Sequence, residues 1–236
     1  MPFTLRLRKN ISTKIRTTRK KTGYLLLLFT LPVFIAAKLR TDFIAPALPG
    51  ITYYLPADIN IEAKQSFINR LYDSASLGET GLQKKVLELA MEGFSKLMLK
   101  GKLNKDSILT IVDFSRSSKN KRLYVIDLKN EALLFNTLVA HGRNSGMEYA
   151  HSFSNTPSSN KSSLGFYITQ STYRGDNGYS LRLQGVERNI NDRALGRNIV
   201  IHGATYANPQ FLAERGVLGR SFGCPAIPTE DHVAII

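Results

Sequence analysis

The chain holds a single cysteine, Cys224, inside "GRSFGCPAIP" at 219–228. A thiol acts as a nucleophile only once a base draws off its proton, because at an ordinary pKa of about 8.5 only a few per cent is thiolate at neutral pH. The candidate bases are His141, His151, His202 and His232. His202 is the best placed, since it ends the apolar run "NIVI" and is followed by Gly203, so its ring emerges where a strand turns. A lone histidine at a strand end is usually structural. Here, though, strand, His-Gly, a short helix-like insert and Ser-x-Gly-Cys follow one another between residues 201 and 225. His141-Gly142 repeats the pattern after "LFNTLVA" and is a second candidate for the cleft. Gly223 before the cysteine and Pro225 after it mark a stiff loop rather than a core strand, and Pro225 restricts Cys224 to extended backbone.

Compartment sharpens the role of that sulfur. The net charge is +14, but residues 1–37 carry eight Lys/Arg and no acid. Without them 24 basic residues face 18 acidic ones, a balance of +6, so no nucleic-acid partner is expected. The basic run leads into "YLLLLFTLPVFIAA" at 24–37. Positive residues, a short apolar core and small residues at its end read as a secretory signal. The alternative is an uncleaved inner-membrane tether through 24–37, although the run is short of the ~20 residues of a spanning helix and Pro32 interrupts it. Either route places the body of the protein in the periplasm or cell envelope. An exported chain with one cysteine cannot close an internal disulfide, which favours a reactive thiol.

The elements that must position these groups follow. Residues 38–79 read as a proline-bearing linker and lead-in. From 80 to 100, Leu82, Val86, Ala90, Phe94 and Met98, joined by Leu89 and Leu97, form the face of an amphipathic helix ended by Gly101. "SILTIVDF", "KRLYVIDL" and "EALLFNTLVA" then predict an antiparallel meander, and "LGFYITQSTY", "YSLRLQGV" and "NIVIHG" predict further strands. A long Ser/Asn-rich loop at 142–163 separates the two groups and suits either solvent or an extended ligand. "IPTEDHVAII" begins like a helix, with Thr229 as N-cap, and places His232 on the solvent side. The predicted divisions are 1–37 (signal or anchor), 38–104 (linker and amphipathic helix) and 105–236 (catalytic domain).

His-Gly followed by Ser-x-Gly-Cys, at the end of an exported β-rich domain, resembles the L,D-transpeptidase catalytic domain of bacterial cell-wall enzymes. "VAHGRNSG", "KSSLGFY" and "SLRLQGVE" are similar to its murein L,D-transpeptidase subfamily, with the likeness running over about 105–228. The resemblance implies a mostly β fold, an L,D-transpeptidase-like β-sandwich or barrel with a few helices, preceded by a helical lead-in. It also implies Cys224 as nucleophile and His202 as general base, with the Gly203 carbonyl orienting the imidazole and Ser221 bracing the loop. The Gly223 and Cys224 amides would form the oxyanion hole. The implied partners are peptidoglycan tetrapeptide stems, cut before the terminal D-alanine and passed through a thioester to the amine of another stem as a 3→3 cross-link. No cofactor or metal is implied.

Two departures shape the expectations. Phe222 stands where the commoner pattern has a histidine, so His141 is expected near the vacated space. "PAIP" replaces the polar or basic residue that commonly follows the cysteine, so carboxylate recognition falls to Arg143, Arg182 or Arg220, with Asn144, Ser163 and Tyr167 as further binding candidates. The resemblance also implies a longer helix and a closing strand after Ile236, so the domain either stops short or closes differently. Three other functions compete: an L,D-carboxypeptidase with water as acceptor, a non-catalytic murein-binding scaffold on a degenerate fold, and a zinc hydrolase using Cys224, His202 and His141. The last lacks any tight ligand pair.

Overall fold

The computed structural model describes residues 61–104 and 107–236. The signal or anchor expected at 1–37 lies outside them, as does most of the 38–79 lead-in. Among the described residues, no helix is long and apolar enough to cross a membrane.

The strand β2 (Leu123–Asp127) organises the fold, because it is apolar on both faces. It is the centre of a three-stranded antiparallel sheet, flanked by β1 (Ile108–Val112) and β3 (Ala132–Thr137). Tyr124 and Ile126 point to one side, where α1 (Ile61–Ser74) and α2 (Lys84–Leu99) pack through Phe67, Ile68, Leu71, Leu87, Met91 and Phe94. Leu123 and Val125 point to the other side, into a second cluster with Leu183, Ile199, Ile201 and Ile227. This alternation with period two makes one strand the shared wall of two cores. Each such fully buried Leu or Ile contributes roughly 1.5–3 kcal/mol.

The second sheet has the order β4 (Tyr167–Gly175), β5 (Gly178–Gly185), β6 (Val200–Gly203) and β7 (Ala226–Ile227). The first three are antiparallel neighbours, and β7 runs parallel to β6. The two sheets face each other in the expected sandwich-like, mostly β arrangement. The meander and the three later strands lie where the runs of aliphatic and aromatic residues place them.

Three details differ from the sequence expectation. The lead-in is helical from Ile61, where Phe67, Ile68 and Leu71 supply a narrow apolar stripe. The buried face of α2 is turned towards Leu87 and Met91, leaving Leu89 exposed, because the sheet meets the helix one residue round from the regular stripe. Thr229 is not an N-cap: it pairs with the Asn208 side chain, and the last helix (His232–Ile235) begins three residues later. Ile235 and Ile236 pack against the inter-sheet core.

Candidate active site

β6 carries His202 to the site. Ile201 enters the inter-sheet core, so its neighbours Val200 and His202 face the opposite side of the sheet. On β5, Ser180 lies opposite His202 and Arg182 opposite Val200, so these four residues share one face. Parallel β7 sets His202 opposite Ala226, two residues beyond Cys224. Strand pairing therefore brings the imidazole and the cysteine loop to the same end of one sheet.

The His202 ring is buried, with Nδ1 3.0 Å from the carbonyl oxygen of Gly203. A carbonyl only accepts, so Nδ1 carries the proton and Nε2 keeps the lone pair. Burial holds the imidazole below its usual pKa, against the Gly203 bond, which favours the charged form; nearby His232 lowers it further. His202 is thus neutral at pH 7, with a basic nitrogen to offer. His232 is not on the solvent side: its ring lies against Gly203, where a Cβ would come within 2.7 Å of the ring's Cγ, and its Nδ1 donates to the Thr229 carbonyl at 2.7 Å.

Cys224 is partly buried, and its Sγ lies 3.5 Å from the Asn198 carbonyl. Burial pushes the thiol pKa up, while the Val200 amide and the Arg197 charge pull it down. Sγ and the His202 ring are not hydrogen-bonded to each other. The resting pair is therefore thiol and neutral imidazole rather than a thiolate–imidazolium ion pair.

Ser221 braces the loop from a buried position. Its Oγ donates to the Cys224 carbonyl at 2.6 Å and accepts from the Gly223 amide at 3.0 Å. Of the two amides expected to form an oxyanion hole, Gly223 is thereby engaged, and only that of Cys224 has no partner among the described residues. Gly223 has φ +133°, and a Cβ there would lie 2.9 Å from the Lys161 carbonyl, so only glycine fits this close approach. Its own carbonyl accepts from Ser162 Oγ at 2.9 Å.

His141 is a correction. It is fully buried, Nδ1 lies 2.8 Å from Arg122 Nη2, and Nε2 lies 3.2 Å from the Gly146 carbonyl. Arginine only donates and the carbonyl only accepts, so both ring nitrogens are engaged and neither can meet a substrate or a zinc ion. Burial, aided by the Arg122 charge, lowers its pKa to about 4. Among the described residues no cluster of three metal-ligating side chains occurs.

Three of the remaining candidates, all arginines, divide between two clefts. One, of about 330 Å³, is lined by Tyr173, Asp176, Arg182, Asn198 and Val200, and so borders the sulfur's own neighbours. Arg182 stacks on Tyr173, 3.9 Å from the ring centroid, and its guanidinium has no hydrogen bond or ion pair among the described residues. The other, of about 440 Å³, is lined by Arg143, Phe211, Arg215, Leu218 and Arg220 on the far flank of the loop. There Arg143 covers the exposed Phe222 ring at 4.6 Å, and Arg220 reaches the Gly146 carbonyl at 3.4 Å. Three candidates serve the loop rather than a cleft. Asn144 Nδ2 donates to the Ser159 carbonyl at 2.9 Å, Ser163 Oγ accepts from Arg197 at 2.8 Å, and the Tyr167 hydroxyl donates to the Ser163 carbonyl at 3.0 Å.

Sequence reasoning missed Arg197, Asn198 and Tyr206. Burial pushes the Tyr206 phenol up to about 12, and the charge of Cys224 adds to it, so the ring stands within electrostatic reach of the sulfur. Its hydroxyl has no hydrogen-bond partner among the described residues. Only the position of Tyr206 just after His-Gly hinted at this; nothing in the sequence marked Arg197 or Asn198.

The L,D-transpeptidase catalytic domain family matches residues 78–236. The chain belongs to this family. The match to the L,D-transpeptidase domain takes in most of the described residues, α2 as well as both sheets, and so begins ahead of residue 105. The family acts on peptidoglycan, which places the chain among peptidoglycan-related transpeptidases. No curated protein and no solved structure matches the chain significantly.

Proposed function

We propose that the chain is an exported cysteine L,D-transpeptidase of the cell envelope, acting on peptidoglycan tetrapeptide stems. The observation that carries this reading is the His202 tautomer: Nδ1–H is committed to the Gly203 carbonyl, which leaves Nε2 as a base at the end of the sheet that holds Cys224. As a stem enters, Nε2 accepts the thiol proton while Sγ adds to the carbonyl carbon of the third residue. Such contacts commonly tighten only in the complex with substrate. The Cys224 amide faces the developing oxyanion, with the unpartnered Tyr206 hydroxyl as the second donor in place of the engaged Gly223 amide. The carbon–nitrogen bond to D-alanine then breaks, and imidazolium protonates the leaving amine. The amine of a second stem attacks the thioester, giving a 3→3 amide and restoring the thiol.

Arg182 is the donor-carboxylate site in this scheme, because its free guanidinium offers a fork of N–H donors beside Val200. Arg143 and Arg220, on the other flank, receive the acceptor stem. Residues 1–37 direct export as a cleaved signal or hold the domain by a tether. Incubation with murein tetrapeptide, followed by intact mass, tests the reading. Wild type gains the acyl group with loss of D-alanine, and Cys224→Ala gains nothing. An adduct on both proteins, or on neither, overturns it. Free tripeptide without dimer assigns the site to L,D-carboxypeptidation.

A further inference from the structure

No cation follows Cys224 in its loop, where "PAIP" comes after the sulfur, and Arg220 ahead of it turns to the Gly146 carbonyl. One is nevertheless present. Arg197 enters from the segment ahead of β6, and each of its two terminal nitrogens makes two bonds to the Ser-rich loop. Nη1 donates to the Ser154 carbonyl at 2.6 Å and to Ser163 Oγ at 2.8 Å. Nη2 donates to the Lys161 carbonyl at 2.6 Å and to Ser159 Oγ at 3.3 Å. The same Nη2 would lie 3.4 Å from a Cβ on Gly223, so the guanidinium stands directly behind the residue that precedes Cys224.

All four acceptors are neutral, and no carboxylate pairs with the guanidinium among the described residues. A half-buried arginine held only by carbonyls and hydroxyls keeps its full charge for whatever is nearest. The clamped loop is also stitched to the cysteine loop: Ser162 Oγ donates to the Gly223 carbonyl and accepts from the Gly142 amide. Loop, guanidinium and thiol therefore form one packed unit.

From this we infer that Arg197 is the positioning residue of the site: it closes the Ser-rich loop of 142–163 onto the cysteine loop and supplies the positive charge that lets Cys224 ionise. The inference takes its meaning from the cysteine transpeptidase reading, but it concerns the thiol alone. Besides Arg197, the charged and titratable groups that face the sulfur's surroundings are Tyr206, His202, His232 behind it, and Arg182, which lines the cleft beside Asn198 and Val200 with its guanidinium over the Tyr173 ring. Lys161, in the clamped loop, directs its ammonium to Ser152 Oγ. Tyr206 and His202 are neutral near pH 8 and Arg182 is stacked on Tyr173, so Arg197 is the fixed positive charge held directly behind the cysteine loop. Burial raises the thiol pKa and lowers that of the guanidinium, and the two charges each work against that burial, at Arg197 after Tyr167.

The test is the pH dependence of iodoacetamide alkylation of the full chain, read by mass without any substrate. Arg197→Gln raises the midpoint of Cys224 reactivity by about one pH unit. Arg197→Lys keeps the charge but not the four-point clamp, and its midpoint stays near wild type. Ser159→Ala removes one acceptor and no charge, and leaves the midpoint where it was. A folded Arg197→Gln with the wild-type midpoint overturns the inference, as does a shift in Arg197→Lys or Ser159→Ala as large as that expected for glutamine. If Arg197→Gln does not fold, Arg197→Met, which also removes the charge, is read in its place, with the same rise expected and an unshifted midpoint overturning the inference. Because no stem peptide is used, failure of the transpeptidase reading leaves these midpoints standing, and failure here leaves the adduct experiment unaffected.

Discussion

"LVAHG" and "VIHG" are nearly the same words in sequence, and the fold gives them opposite tasks. Both histidines follow apolar runs, both are buried, and burial lowers the pKa of each. At His141 every ring nitrogen is spent: Arg122 takes one and the Gly146 carbonyl the other. At His202 one nitrogen is spent on the next residue's carbonyl and one is left over. The difference lies in partners, not in burial. A histidine with both nitrogens engaged holds a structure together, and one with a free lone pair can move a proton.

Replacing each imidazole breaks the comparison most sharply. His202→Ala is expected to slow acylation by on the order of 10²–10⁴-fold, the range of a general base, with little change in melting temperature. His141→Ala is expected to do the reverse. It removes one hydrogen-bond acceptor of the buried Arg122 guanidinium, which keeps the Val139 and Arg116 carbonyls, and costs about 1–3 kcal/mol, read as a fall in denaturation midpoint. Equal loss of stability in the two variants would erase the contrast.

Acid separates the pair next. A lowered folded pKa means the fold prefers the neutral ring, so this stability is complete above the unfolded value of 6.5 and is lost as pH falls towards the folded value. For His141 that window runs from 6.5 to about 4. The loss amounts to about 3 kcal/mol. Urea midpoints measured across it should fall steadily in wild type and flatten in any His141 variant that still folds.

The glycines after each histidine give a smaller effect. A Cβ on Gly142 would stand 2.6 Å from the Asn160 carbonyl and 2.9 Å from the Ser162 amide, both backbone atoms. The three atoms nearest a Cβ on Gly203 all belong to the His232 ring, a side chain that can swing aside. Gly142→Ala is therefore expected to destabilise by more than Gly203→Ala, by about 1–3 kcal/mol on the overpacking scale. The smallest effect is expected at Ser221→Ala, which frees the Gly223 amide and the Cys224 carbonyl. The cost is about 1–2 kcal/mol, with acylation slowed because the loop loses its brace.

Much of this was legible in the residues. Runs rich in Val, Ile, Leu and aromatic residues marked every strand longer than two residues, and the stiff Gly-Cys-Pro loop after His-Gly marked the candidate site. What stayed hidden depended on contacts distant in sequence. The stripe of α1 is only three residues wide and lies just after a proline-bearing stretch, so it read as linker. His141 looked like a cleft residue because nothing local shows that Arg122 folds over it. The engagement of the Gly223 amide is a matter of where the Ser221 hydroxyl turns. Arg197 has no motif at all, since its role exists only once residues 154–163 return to it.

The central claim is that the lone pair on His202 Nε2 takes the proton of Cys224. The rate of acyl-enzyme formation against pH tests it most directly. Wild type should show a rising limb with its midpoint below 6.5, where the buried imidazole loses its proton, and His202→Ala should lose that limb. A limb that survives in the variant, or one found in wild type only where the thiol itself ionises, would contradict the account.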